Sequence, residues 1–345
     1  MPSTDAPRTT PDRPANGAAP ATMRAVIQDA YGSADVLRLD RIAVPSPGEG
    51  DVLVRIDAAG VDRGTAHLMH GTPYLIRALG FGLRAPRQPV PGLDLSGTVV
   101  AVGPGVTRFA AGDTVFGIGR GTLAEYALAR EDKLAPAPAG LDPAQAAVTA
   151  VSGLTALQAL TDVGGVRSGQ RVLIVGASGG VGTFAVQIAA AFGAEVTGVC
   201  SAGKADMVRG LGAAQVVDYA REDFADGRRT YDLVLDIGGN APLRRLRRAL
   251  TPRGTLVIVG GEEGGRWIGG VDRQLRALAL SPFVGQRLTT FVSKERHEDL
   301  DRLREQIEAG QVTPVVERAF PLDAAADAIR HLESGRALGK VAVTT

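Results

Sequence analysis

The run Gly176-Ala-Ser-Gly-Gly-Val-Gly182 is where this sequence could do chemistry. Glycines at 179, 180 and 182 let a backbone turn tightly. They also let a phosphate approach main-chain N–H groups that side chains would otherwise cover. Before them, Arg171-Val-Leu-Ile-Val175 reads as a strand buried on both faces; after them, Thr183 to Gly193 reads as a helix. A helix N-terminus carries unpaired N–H donors and a partial positive charge, which favours an anion. The segment therefore reads as a dinucleotide-binding βαβ unit, with Ala177, Ser178, Gly179, Gly180, Val181 and Gly182 cradling the pyrophosphate.

A glycine fingerprint alone is weak, so its flanks decide. Further apolar strands follow at Glu195–Cys200, Ala214–Tyr219, Tyr231–Asp236 and Gly254–Val259, the last running into Gly260. Strands alternating with helical segments predict an α/β, doubly wound parallel sheet. The second strand ends Cys200-Ser-Ala-Gly-Lys204, without the acid that usually accepts the ribose hydroxyls of NAD. Ser201 and Lys204 could instead hold a 2′-phosphate, so NADPH is the expected cofactor. Tyr219 would lie near the adenosine phosphate, or simply pack as an aromatic at a strand end.

The elements that position this unit come from a chain of 345 residues, long enough for two domains. Net charge is +1, from 38 basic and 37 acidic residues, so composition points to neither a nucleic-acid nor a membrane partner. One cysteine, Cys200, excludes intramolecular disulfides and any multi-cysteine zinc site. Residues 1–22 are rich in proline and carry no apolar run; they read as a disordered tail with no signal or transit character, and a cytoplasmic protein is expected. Residues 23–145 alternate strands and glycine turns in a β-rich module; residues 146–290 form the sheet domain. Residues 291–345 carry a charged helix, a strand, a second helix and the terminal strand Lys340-Val-Ala-Val-Thr, and are expected to rejoin the first module.

From Met23 to Thr345 the chain resembles the medium-chain dehydrogenase/reductase superfamily, in its zinc-independent quinone oxidoreductase branch. The resemblance rests on Pro91-Gly-Leu-Asp-Leu-Ser-Gly97, Ala111-Gly-Asp-Thr-Val-Phe116, Ala124-Glu-Tyr126, Leu154-Thr-Ala156, the fingerprint and Gly339-Lys340. It implies a GroES-like substrate domain, a Rossmann domain, a cleft between them and a homodimer. Where zinc-dependent members carry a cysteine and a histidine, the corresponding residues here are Asp62 and Leu93. Leucine cannot bind a metal, so no metal site is expected. Hydride transfer to an activated C=C or a quinone needs no Lewis acid on the substrate oxygen.

The same resemblance places Thr155 near the nicotinamide carboxamide, with a capping role as the alternative. Asp62 would hydrogen-bond the nicotinamide ribose, or serve only the turn. Tyr74 is a candidate proton donor or a cleft-wall aromatic; His67 and His70 could relay protons. Arg336 and Lys340 could reach the cofactor phosphates. Segment Leu68 to Pro91, apolar with scattered arginines, is expected to wall the pocket for a small hydrophobic electrophile. The run Leu243-Arg-Arg-Leu-Arg-Arg-Ala-Leu250 places its leucines on one helical face and reads as a solvated helix rather than an RNA site.

The expected activity is NADPH-dependent, zinc-independent hydride transfer to an enone or quinone. A weakly catalytic NADPH-binding interaction protein and a metal-free carbonyl or alcohol redox enzyme are the alternatives.

Overall fold

Two large β-sheets organise the computed structural model, which describes residues 19–239, 241–260, 265 and 267–345. Most of the proline-rich tail, residues 1–18, lies outside the described residues. Order begins with β1 (Thr22–Ile27), which pairs antiparallel with β2 (Arg38–Ala43).

The first module continues through β3 (Asp51–Val61), α1 (Arg63–His70) and β4 (Asp94–Val102). Next come β5 (Thr114–Ile118), β6 (Tyr126–Arg130) and β7 (Leu134–Pro136). Two helices, α2 (Pro143–Ala147) and α3 (Ala150–Gln158), lead out of it. Asp142 starts α2 with a reciprocal capping box: its carboxylate accepts from Gln145 N, while the Gln145 side chain accepts from Asp142 N.

The second sheet comprises β8 (Arg171–Val175), α4 (Gly180–Ala191), β9 (Glu195–Cys200), α5 (Ala205–Gly210) and β10 (Gln215–Asp218). It continues with β11 (Tyr231–Asp236), α6 (Leu243–Ala249), β12 (Leu250–Ile258), α7 (Val271–Leu280) and β13 (Arg287–Thr290). All neighbours are parallel, in the order β10-β9-β8-β11-β12-β13. In sequence order that is 3-2-1-4-5-6, the Rossmann arrangement, whose direction of winding reverses between β8 and β11. Val172, Leu173 and Ile174 are wholly buried, which explains their unbroken apolar run.

The chain closes with α8 (His297–Glu308), β14 (Val316–Pro321), α9 (Ala325–Glu333) and β15 (Lys340–Thr344). β15 pairs antiparallel with β3, so the C-terminus enters the first module's sheet. α8 packs on both modules: Leu303 and Ile307 join the core of the parallel sheet, while Leu300 joins Phe116, Ile118 and Ala135 of the first module.

Two further expectations change and one holds. β13 is a sixth parallel strand that its four-residue length concealed. Thr155 sits within α3 instead of opening a helix, and its hydroxyl donates to Val151 O at 2.7 Å. Arg245 and Arg248 of α6 both pair with Asp223, in keeping with a solvated helix face.

A buried ion pair ties the carboxyl ends of β11 and β12 to α7. Asp236, fully buried, pairs with Arg273 of α7, which also donates to Ala241 O at 3.0 Å and Gly260 O at 2.9 Å. Burial pushes the Asp236 carboxyl above the usual range, and Arg273 opposes that shift. Replacing Arg273→Met strands a buried carboxylate, and denaturant unfolding is expected to register a loss of about 3–5 kcal/mol.

Candidate functional site

The glycine turn places its bends where side chains cannot go. Gly176 has φ +89°, and a Cβ on Gly182 would lie 2.1 Å from Gly176 O. A Cβ on Gly180 would lie 2.8 Å from Lys340 Cδ. Gly179 caps α4 without a side-chain hydrogen bond, leaving the first-turn N–H groups available to an anion.

A cavity of about 500 Å³ opens against this turn, at the carboxyl ends of β8 and β11. Gly176, Ser178, Gly179, Gly180 and Val181 form one wall, continued by Ile237, Gly238, Val259 and Gly260. Asp62, Arg63, Gly64 and His67, at the start of α1, form the other. Val151, Ser152 and Thr155 of α3 close one side, and Lys204, Gly339 and Lys340 another. This shape and polarity fit a dinucleotide: a glycine-lined, N–H-rich bend for the pyrophosphate, cations at the rim and an apolar inner end.

Three charged side chains meet beside this cavity: Asp62 and Lys340 line it, and Asp94 contacts Lys340 from outside the lining. Lys340, only 2% exposed, donates to Asp94 Oδ2 at 3.2 Å and lies 3.9 Å from Asp62 Oδ2. Asp94, fully buried on β4, also accepts from Val151 N at 2.7 Å. Burial pushes the Asp94 carboxyl up to about 6; Lys340 opposes the shift and the Asp62 carboxylate adds to it. Asp62 caps α1, accepting from Thr65 N at 2.7 Å through Oδ1. Its buried Oδ2 has no hydrogen-bond partner among the described residues.

Several expected site residues are placed differently. Lys340 turns inward to Asp94 rather than reaching out to phosphates; only its stem lies along the glycine turn. Lys204 reaches the cleft rim but donates to Gly335 O (3.1 Å) and Ala337 O (2.7 Å), and burial draws its pKa down. Ser201, Tyr219 and Arg336 lie outside the cavity wall, with Tyr219 and Arg336 exposed. Ala177 and Gly182 support the bend from behind.

Tyr74 is also absent from the wall; it packs edge-on against Trp267, ring centroids 5.3 Å apart. Segment 68–91 contributes nothing to the cavity lining, whereas His67 just before it does. Sequence reasoning missed Asp94 as a site residue, although a lone acid inside the apolar strand Leu93-Asp-Leu-Ser-Gly-Thr-Val-Val was a signal that a buried cation must meet it.

The donor set does not fit a zinc ion. Leu93 offers no ligand, and the cation between the two carboxylates is the Lys340 ammonium. Among the described residues no group of His, Cys, Asp and Glu could hold a metal. Cys200 is buried at the end of β9, its thiol pKa raised by burial.

Family models match residues 48–139 as an alcohol dehydrogenase GroES-like domain and residues 211–343 as a zinc-binding dehydrogenase. A 2-methylene-furan-3-one reductase of Solanum lycopersicum is 32% identical over 340 residues, covering 94% of this chain and 79% of its own. The quinone oxidoreductase structure from Coxiella burnetii superposes with a TM-score of 0.81 at 27% identity, covering 94% of this chain and 99% of its own. A mycobacterial protein solved in complex with NADPH gives a TM-score of 0.80 at 28% identity, covering 94% and 100%.

The cluster of Asp62, Asp94 and Lys340 makes stability depend on pH. The folded state binds the Asp94 proton more tightly than the unfolded chain does, so stability falls as pH rises from 3.8 towards about 6. The contribution is about 3 kcal/mol. In Asp94→Asn that slope is expected to disappear from denaturant unfolding measured across the window.

Proposed function

We propose, proceeding from the fact that this chain belongs to the medium-chain dehydrogenase/reductase superfamily in its quinone oxidoreductase-like branch, that it reduces an activated C=C bond or a quinone with NADPH and without zinc. One observation carries this reading: a glycine turn at the winding reversal faces, across a single cavity, a wall with polar and titratable groups but no zinc donor set. NADPH, when bound there, supplies the hydride.

The chain's own residues bind, orient and exclude water. The first-turn N–H groups of α4 hold the pyrophosphate. Ser201, directly after β9, and Lys204, exchanging its two carbonyl partners for phosphate oxygens, favour the 2′-phosphate. Asp62 Oδ2, buried and unsatisfied, accepts a hydrogen bond from a ribose hydroxyl. Thr155 and the backbone at Gly260 flank the nicotinamide end. Val151, Val181, Ile237 and Val259 line the inner end and keep water from the reacting carbon. The proton that completes the reduction passes through His67, the one imidazole on the described cavity wall. The substrate is a small hydrophobic electrophile whose own carbonyl spreads the developing charge.

A homodimer accompanies this reading. β13 is an open edge of the parallel sheet, and Leu275, Leu278, Phe283 and Val292 stand exposed on the elements next to it. Sedimentation is expected to show a dimer that Phe283→Ser weakens towards monomer.

NADPH oxidation against a panel of quinones, enones and aldehydes, with metal analysis of the same sample, tests the chemistry. Turnover of quinones or enones by zinc-free protein is the expected result; turnover confined to aldehydes, or stoichiometric zinc, would overturn it. Calorimetry on Lys204→Ala is expected to weaken NADPH binding about tenfold or more and leave NADH binding unchanged.

A further inference from the structure

Overall charge near zero hides a local asymmetry. No Asp or Glu occurs between Asp62 and Asp94, whereas Arg77, Arg84 and Arg87 all do. Within this stretch Leu79 is 68% exposed and Leu83 73%, with Leu75 and Phe81 also exposed. Isolated exposed leucines are ordinary; several in one basic stretch are not.

A chain of contacts joins this stretch to a second exposed apolar pair, Trp267 (74% exposed) and Ile268. Leu75 N donates to Trp267 O at 3.1 Å, and Tyr74 packs edge-on against the Trp267 ring. The Arg77 guanidinium lies 4.7 Å from the Tyr74 ring centroid and 4.3 Å from that of Tyr31. It also donates to Gly71 O at 2.7 Å. Tyr31 Oη in turn donates to Gly82 O at 2.6 Å and Phe81 O at 3.0 Å. Arg77 is thus the spacer that holds Leu79–Leu83 and Trp267–Ile268 on one flank.

Arg84 and Arg87 are exposed and pair with no carboxylate among the described residues. Asp29, two residues before Tyr31, pairs with Arg38, and Asp272 of α7 pairs with Arg276. Glu262 and Glu263 lie outside the described residues.

We propose that this flank, Leu75 to Arg87 with Trp267 and Ile268, is a docking surface for a lipid bilayer carrying anionic headgroups. Leucine, phenylalanine and isoleucine side chains enter the acyl boundary, tryptophan settles at the interface, and arginines meet the lipid phosphates. Charge decides against a second copy of the chain: a two-fold contact through this face would bring Arg84 and Arg87 of both copies together without an acid to pair them. Among the described residues no helix is long and apolar enough to cross a membrane, so the contact is peripheral. The proposal stands independently of the hydride chemistry.

Trp267 is the protein's only tryptophan, so its fluorescence reports on this face alone. The test is flotation of the full chain with phosphatidylcholine vesicles containing phosphatidylglycerol, and with phosphatidylcholine alone. Expected results are flotation with the anionic vesicles only, reversed by salt, with Trp267 emission shifted to the blue and quenched by brominated acyl chains. The double change Arg84→Gln with Arg87→Gln is expected to weaken vesicle binding about thirtyfold. Leu79→Ser with Leu83→Ser abolishes the quenching while the circular dichroism stays that of the parent.

Absence of flotation, flotation without Trp267 quenching, or equal binding to uncharged vesicles would each overturn the proposal. So would a vesicle-independent blue shift that grows with protein concentration, which would show a second copy covering the face. Should the leucine variant fail to fold, quenching of the parent protein by brominated lipid still decides the matter.

Discussion

The buried pair of Lys340 and Asp94 is the contact on which the site's geometry rests. Lys340 opens β15, the last strand of the first module, and its stem runs past Gly180, the first residue of α4. Its ammonium ends on Asp94 of β4, with Asp62 of α1 beyond it. One side chain therefore ties the phosphate-binding bend to both elements that face it. Desolvating an ammonium and two carboxylates is costly, and the cluster persists because each member has partners. Asp94 takes an N–H from α3, Asp62 takes one from α1, and Lys340 lies between them. The oxygen left over, Asp62 Oδ2, is buried without a hydrogen-bond partner among the described residues.

The cluster also sets the charge of the cleft. A fixed positive charge beside the cleft comes here from a lysine, whose single charge is shared by two carboxylates. Such a charge can orient donors and acceptors, but it has no open coordination position with which to polarise a substrate oxygen. In the proposed reaction the protein's task is to align a hydride donor with an electrophile that stabilises its own negative charge, in a pocket that excludes water.

The parallel sheet and its bend were legible because they obey local rules. Glycines at fixed offsets, unbroken Val/Leu/Ile runs and the missing acid after β9 each state a backbone or charge requirement that any tertiary setting must satisfy. Side-chain destinations were less legible. Lys204 and Lys340 are both cations near the expected phosphate path, yet one bonds to the carbonyls of residues 335 and 337 and the other to a carboxylate 246 positions away. A lysine has four rotatable carbons, and which acceptor it finds depends on the approach of distant strands. Tyr74 misled for a related reason: the start of α1 before it lines the cavity through His67, while the Tyr74 ring packs against Trp267 from another element.

By itself the sequence determined the Rossmann winding, the glycine bend that leaves N–H groups open to an anion, and the lack of a carboxylate directly after β9 that would disfavour a 2′-phosphate. Each follows from residue type and short spacing, where chain geometry leaves little freedom. Only the tertiary structure decided that Asp94 belongs to the site and that His67 rather than Tyr74 reaches the cavity. It also decided that the apolar, arginine-bearing stretch after α1 faces outward. Those outcomes depend on which surfaces meet when β15 joins β3, an antiparallel pairing between segments far apart in the chain. Nothing local specifies the partner of a side chain across such a pairing.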